Sequence, residues 1–311
     1  MANSAPIPVI IDCDPGVDDA LALFLAIASP ELAVRAVSVS GGNVPLARTL
    51  ANALAVTGLA RSSAPVHAGA DRPMLGSFTA APRVHGADGL GGVALPPGGP
   101  PARGLAADAI RGLLCAAEAP ITLVGIAPAT NLALALMTEP QLAGRVGEIV
   151  LMAGAWSEGG INPAAEFNAW SDPEALAVLL ACGRPVRLAT LDLTAQALVT
   201  PERIAALRNG GSGACLAAAS DMLAALPALP RYGGRGAPLH DPCAVAWLIR
   251  PALFTARDCA VTVELAPGLG RGRTWCDRWG RTGAPANATL LETLDADGFF
   301  DLLGERLARL P

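Results

Sequence analysis

Aromatic residues are scarce in this 311-residue chain, with one tyrosine and six phenylalanines, and no run of basic residues interrupts a net charge of −5. A nucleic-acid polymer needs basic stripes for its phosphates and aromatic faces for its bases, so none is expected as a partner. Cysteines occur only singly, as Cys13, Cys115, Cys182, Cys215, Cys243, Cys259 and Cys276, an odd number without a CxxC pair. That pattern excludes a disulfide framework and a zinc knuckle and predicts reduced, mostly buried thiols. The N-terminal stretch MANSAPIPVIIDCDPG has no basic leader, and its apolar run of about five residues is too short for a signal peptide or a bilayer span. A soluble cytoplasmic protein with no membrane partner is expected. Lysine is missing while alanine, glycine, proline and arginine abound; this reads as nucleotide-composition bias and carries no functional meaning.

What remains is strongly apolar, 52% hydrophobic against 16% charged, which excludes disorder and supplies a sizeable core. Short Val/Ile-rich runs alternate with longer Ala/Leu segments: IPVIID then DDALALFLAIA, LAVRAVSVS then ARTLANALAVTGLA, ITLVGI then TNLALALM, GEIVLMAG then DPEALAVLLACG, then PVRLATLDL. Such alternation predicts βα units around an open, mostly parallel sheet flanked by helices, an α/β fold of the Rossmann-like kind. Ligands of these sheets bind at the carboxyl ends of the strands, where the acids of IDCDPGVDDA, the glycines of GGN, the segment around Ile126 and the Leu191–Asp192 pair would share one rim. Two stretches depart from the pattern. The Gly/Pro-rich segment 76–104 reads as a mobile flap, and 209–240 as helices leading into a loop. DCAVTVEL and RGRTWCDRW read as a late hairpin and DADGFFDLLGERLARL as a closing helix. Without repeats or a clear linker, residues 1–311 are expected to form a single domain.

The densest chemistry lies at Asp12, Asp14, Asp18 and Asp19, four carboxylates within eight positions at a strand-to-helix junction. A helix cap accounts for one of them at about 0.3 to 1 kcal/mol. The others repel by up to about 4 kcal/mol per pair at 4 Å and an effective dielectric of 20, which a bound cation would relieve. No cysteine or histidine cluster accompanies them, so hard oxygen ligands and Ca²⁺ or Mg²⁺ are expected rather than zinc.

Further candidates are spread along the chain. In LHDPCAVAW, Asp241 reads as a helix N-cap with Pro242 at the first helical position, and His240 beside it is a general-acid candidate near neutral pH. Asp172 and Pro173 have the same pattern without a histidine and read as a cap alone. Glu166 and Asn168 stand two apart in AAEFNAW, which reads as an extended loop offering a charged acceptor and an amide on one side. Asn43 in GGN either caps the next helix or joins them. HGADGLGG lacks the GK[ST] ending of a phosphate loop; His85 in it would reach a ligand when the flap closes, whereas His67 in PVHAG reads as structural at a strand end.

Together these residues resemble the inosine-uridine preferring nucleoside hydrolase family. The DxDPGxDDA signature stands at 12–20, and VSGGN, HGADGLG, EIVLMAG, AEFN, DPEA, LDLT and HDPCAVA follow in the family's order over residues 7–309. The resemblance implies hydrolysis of the N-glycosidic bond of ribonucleosides, a Ca²⁺ ion at the strand ends, and a homodimer or homotetramer. It implies that Asp14, Asp19, Asp241 and the backbone carbonyl of Ile126 hold the ion. Asp18 and Asn43 would take the ribose 2'-hydroxyl, Asn168 and Asp241 the 3'-hydroxyl and Glu166 the 5'-hydroxyl, with Asp12 supporting from behind. Asp14 would be the general base. Members restricted to purine nucleosides tend to carry Trp where this chain has His240, so a pyrimidine-preferring or broad specificity is implied, with Tyr232 at the border of the base. Where members often carry Asn, six positions before the Glu of AEFN, this chain has Gly160; Asn162 is the expected substitute. Two alternatives stay open at this point: a DxD metal-dependent phosphohydrolase, and a protein of the same fold that binds ribonucleosides without turnover.

Overall fold

Each Val/Ile-rich run becomes a strand and most of the Ala/Leu segments become helices, in a computed structural model that describes residues 5–79 and 82–311. β1 (Ile7–Cys13), β2 (Leu32–Val39), β3 (Val66–Ala68), β4 (Ile121–Gly125), β5 (Val146–Met152) and β6 (Val186–Ala189) run parallel in the spatial order β3-β2-β1-β4-β5-β6. β7 (Leu198–Val199) and β8 (Ala237–Pro238) form a separate antiparallel ribbon. β9 (Phe254–Val263), β10 (Thr274–Asp277) and β11 (Ala288–Leu294) extend the main sheet beyond β6 in the order β11-β9-β10, with β9 antiparallel to both neighbours. The order reverses between β1 and β4. In doubly wound sheets the crevice outside such a reversal is where ligands bind.

β1 shows why this centre is rigid. Val9, Ile11 and Cys13 face one apolar layer and Ile10 the other, all of them fully buried, as the period of two requires of a central strand. The helix that follows, Val17–Ile27, buries ten of its 11 residues, Leu21 and Phe24 among them, and packs on the helix Asp241–Ile249. Each large side chain removed from water there contributes about 1.5 to 3 kcal/mol, so the acids at its first turn are carried by a fixed element.

The mostly parallel α/β architecture, the late hairpin and the closing helix Ala296–Leu307 match the sequence reading. The differences are local. The run to residue 192 is not all strand, because β6 ends at Ala189 and Leu191–Thr194 makes a helical turn. The hairpin strand begins at Phe254, and β11 was not foreseen because its alternation is weak; neither was the helix Ala106–Ala116, which follows the Gly/Pro-rich segment directly. That segment contains a helical turn, Pro82–His85; its residues 80 and 81 lie outside the described residues, so its reading as a mobile flap is not addressed there. Asp241 is the first helical residue rather than the cap, which is His240, and its side chain caps nothing. Asp172 does cap, accepting from the Ala175 N–H at 3.1 Å, and also holds the Thr130 hydroxyl and the Met74 N–H.

Candidate active site

At the end of β1, Asp14 and Asp19 are knotted together by hydrogen bonds through Asn43 and the backbone, with Asp12 held behind them, while the Asp18 side chain takes no hydrogen bond among the described residues. Asp19 reaches back from the third helical position to accept from the backbone N–H groups of Asp14 and Gly16, each at 3.0 Å, so it serves as the capping acid that the sequence anticipated. Asp14 Oδ2 accepts from the Asn43 N–H at 2.7 Å. The Asn43 amide donates to the Asp14 carbonyl at 3.2 Å and to Asp19 Oδ2 at 3.1 Å, so Asn43 belongs to the acids and does not cap the next helix, whose N-cap is Pro45. Behind them Asp12 Oδ1 accepts from the Ser38 hydroxyl at 2.5 Å and the Asn131 amide at 2.9 Å, and the Asp12 carbonyl takes the Ile126 N–H. Thus Asp12 ties the end of β1 to the segment that follows β4.

Satisfied on one side, these carboxylates are left open on the other. Asp14 Oδ1, Asp18 Oδ1 and Asp12 Oδ2 are buried without a hydrogen-bond partner, and carboxylate oxygens of Asp18, Asp19 and Asp241 lie within 4.8 Å of one another. Among the described residues no arginine forms an ion pair with them; the one basic side chain within 4 Å is the His85 imidazole, whose Nδ1 lies 3.8 Å from Asp18. Burial, reinforced by the neighbouring acids, pushes the Asp14 and Asp241 carboxyls well above the usual range and Asp19 to about 7. Burial likewise lifts Asp12 to about 7, against the pull of the Ser38 and Asn131 hydrogen bonds. Orphaned oxygens on converging, charge-starved carboxyls are what a hard divalent cation satisfies, and the donor set of carboxylates with a nearby main-chain carbonyl fits Ca²⁺.

Above this knot opens a cavity of about 260 Å³, just under the roughly 300–1,000 Å³ usual for small-molecule sites. Asp18, Asn43, Asp241, Asn168, Glu166 and Ile126 line it, whereas Asp14 and Asp19 lie fully buried beneath. Glu166 and Asn168 arrive by a route different from the expected extended loop. They open a short helix, Phe167–Ser171, that Glu166 caps through the N–H groups of Asn168 at 2.7 Å and Ala169 at 2.9 Å, while the Gly154 N–H adds a third donor at 2.9 Å. Burial still raises Glu166 to about 7. The Asn168 amide donates to the carbonyls of Met152 at 3.0 Å and Ile126 at 3.3 Å, fixing its free oxygen. The knot has no spare room: a Cβ at Gly42 would stand 2.1 Å from Asp14 Oδ2. Gly42→Ala is therefore expected to displace Asp14 and abolish turnover, while circular dichroism stays native; a variant with wild-type rate would show that Asp14 tolerates movement.

The opposite wall combines an apolar face with a few polar tips. His85 sits with Nδ1 3.2 Å from the Val17 N–H, and burial lowers its pKa despite Asp18; the folded chain already brings it to the cavity. His240 also lines the cavity, its pKa lowered by burial, so it is neutral at pH 7. A neutral imidazole has one N–H to donate and no surplus proton, which narrows the general-acid role foreseen for it. Tyr232 lines the cavity beside Leu229 and Arg231. His67, in contrast, lies within β3 away from the site. Asn162 does not reach the cavity either: its Oδ1 accepts from the N–H groups of Ala164 and Ala165 at 2.8 and 2.9 Å, closing a turn, while Gly160 and Ile161 form the lining.

Sequence reading missed the residues that build this wall. Arg231 donates to the Gly159 carbonyl at 2.6 Å and pairs with Glu158 at 3.1 Å, tying the 227–236 loop to the 156–163 loop. Asp192 anchors the second loop by accepting from the Trp156 N–H at 2.7 Å and from Ser157. Leu191 and Ile161 add apolar surface. Arg231 and Ile161 belong to no motif; Leu191 and Asp192 stand in LDLT, whose position on the rim was the one hint of a role.

Comparison with known proteins agrees with this geometry. The inosine-uridine preferring nucleoside hydrolase family model matches residues 9–301. The chain is 44% identical over 306 residues to a pyrimidine-specific ribonucleoside hydrolase RihA of Shewanella sp. (strain ANA-3), covering 97% of this chain and 96% of the relative. Among solved structures it resembles the plant nucleoside hydrolase PpNRh1, with a TM-score of 0.89, 33% identity and coverage of 97% and 99%. It also resembles a purine-preferring ribonucleoside hydrolase from Gardnerella vaginalis, with a TM-score of 0.88, 30% identity and coverage of 97% and 98%. By sequence, fold and the acidic knot at the end of β1, the chain belongs to the inosine-uridine preferring nucleoside hydrolase family.

Proposed function

We propose that this protein hydrolyses the N-glycosidic bond of ribonucleosides to free base and ribose, with pyrimidine nucleosides preferred, using Ca²⁺ held by Asp14, Asp19, Asp241 and the Ile126 carbonyl. The observation that carries the reading is one cavity with carboxylates and fixed amides on its floor, orphaned carboxylate oxygens at and beneath that floor, and two histidines with a tyrosine on its far wall. Such a floor suits the vicinal hydroxyls of a ribose, and such a wall suits a flat, polar base. The pyrimidine preference is supported by the relatives named pyrimidine-specific and by His240.

In this reading Asp18 and Asn43 bind the 2'-hydroxyl, Asn168 and Asp241 the 3'-hydroxyl and Glu166 the 5'-hydroxyl. When bound, Ca²⁺ lowers the pKa of a water and restores the ionised state of the raised carboxyls. Asp14 accepts the proton of the attacking water at its unpartnered Oδ1. As the C1'–N bond stretches, positive charge grows on the ribosyl ring, and the carboxylates beneath it stabilise that charge. His85 and His240 offer N–H donors to the departing base. The whole chain, 1–311, acts as one domain, as a sheet that draws strands from residues 7 to 294 supports. The homodimeric or homotetrameric state and cytoplasmic location remain part of the proposal.

Family membership sets aside the phosphohydrolase alternative, leaving the binding-only reading as the competitor. Ribose release measured by a reducing-sugar assay on uridine, cytidine, inosine, adenosine and guanosine separates them. We expect calcium-dependent release, fastest from uridine and cytidine and lost on chelation. Silence on all five with calcium bound would overturn the hydrolase reading.

A further inference from the structure

His240 meets one protein side chain through a ring nitrogen: the Thr194 hydroxyl, 2.7 Å from Nδ1. Thr194 is fully buried at the end of the helical turn Leu191–Thr194, and among the described residues its hydroxyl has no other hydrogen-bond partner. Either atom could carry the proton between them. If Nδ1 donated, the threonine hydrogen would be left buried without an acceptor, an uncompensated loss of hydration. If the hydroxyl donates, both groups are satisfied and the imidazole proton must reside on Nε2, which has no partner among the described residues and belongs to a ring that lines the cavity.

We propose that Thr194 is a positioning residue that fixes His240 as the Nε2–H tautomer, so that a donor rather than an acceptor faces the leaving base. The inference rests on the hydrolase reading. The same arrangement recurs at His85, whose Nδ1 accepts from the Val17 N–H and whose Nε2 is thereby left as the donor. Two N–H donors on one wall select a base that presents carbonyl oxygens. When the C1'–N1 bond of a uracil nucleoside breaks, its electron pair moves to N1 and is shared with O2; Nε2–H stabilises that oxygen without giving up its proton. The hydroxide equivalent of the water ends on C1', its proton goes to Asp14, and the base anion is later protonated by solvent.

The test compares Thr194→Val, which keeps the shape and removes the hydroxyl, with Thr194→Ser, which restores it. Two substrates are used: uridine, and p-nitrophenyl β-ribofuranoside, whose leaving group needs no hydrogen bond. Expected are a loss of about tenfold in kcat on uridine for the valine variant with KM nearly unchanged, recovery in the serine variant, and full activity of both on the aryl riboside. With only three histidines in the chain, ¹⁵N-edited NMR of the calcium-loaded protein can assign His240 by comparison with His240→Gln. The wild type should show Nε2 protonated, and the valine variant a mixture of tautomers. A wild type protonated at Nδ1, or equal losses on both substrates, would overturn the proposal. An inactive wild type with the Nε2–H tautomer would instead sink the hydrolase reading while upholding the threonine's role.

Discussion

Asp14→Asn is expected to lower kcat on a pyrimidine ribonucleoside by about 10²- to 10⁴-fold, the usual contribution of a general base, while ribonucleoside affinity measured calorimetrically with calcium changes less than tenfold. The asymmetry follows from where Asp14 lies. It is fully buried beneath the cavity, one oxygen engaged by the Asn43 N–H and the other free. An asparagine can keep the first contact with its carbonyl oxygen, but then turns an amide toward the attacking water, and an amide accepts no proton. The groups assigned to the ribose hydroxyls are other residues and remain in place, and at saturating calcium the asparagine carbonyl with Asp19, Asp241 and the Ile126 carbonyl still holds the ion. Asp12→Asn supplies the control, because among the described residues the Asp12 side chain hydrogen-bonds only Ser38 and Asn131 and supports the knot from behind; a loss nearer tenfold is expected. A rate for Asp14→Asn within tenfold of the wild type would remove Asp14 as the base. If binding vanished together with turnover, Asp14 would be needed to form the site at all, and its role as base would have to be abandoned as the main cause of the loss.

Most of the parallel sheet and the floor of the site were legible because both rest on local chemistry. A run such as PVIID, buried on both faces, has to be a central strand, and acids at a strand-to-helix junction lie at a carboxyl edge whatever the surrounding detail. Where sequence reasoning stumbled, longer-range packing decided. Glu166 and Asn168 share a cavity through a helical turn whose cap is Glu166 itself, which alternate spacing alone could not distinguish from an extended loop. Asn162 was the natural substitute at Gly160 by proximity in sequence, yet its carbonyl is consumed by its own turn. The far wall was illegible for a stricter reason. Arg231, Ile161 and Leu191 carry no chemistry that marks them, and they meet only because Arg231 and Asp192 fasten two loops to a common edge. Thr194 was quoted in LDLT but gained a role only when the fold set it against His240, 46 residues away in sequence.

Chelated protein is expected to lose thermal stability as pH rises from about 5.5 to 8.5, and added calcium to restore it most at the alkaline end. The sign follows from carboxyls whose folded-state pKa is raised: Asp12, Asp19 and Glu166 to about 7, Asp14 and Asp241 well above normal. In the unfolded chain such groups ionise near 3.9 to 4.3. Below that range both states are protonated and the groups contribute their full stability; as pH climbs through about 7 the unfolded state has already released its protons, and that contribution is lost. A divalent cation reverses the balance, because it binds the ionised form and competes with the same protons. A calcium concentration a hundredfold above Kd would stabilise the fold by about 2.7 kcal/mol, on the order of 5 °C for a chain of this size. Differential scanning calorimetry at several pH values, with chelator and with calcium, reads both trends at once. A chelated protein whose Tm is flat or rises across this range would mean that the buried acids are compensated without a cation. Asp19→Asn should flatten the profile of the chelated protein and weaken the calcium response together, since the same carboxyl is one of those that repel and one of those that hold the ion.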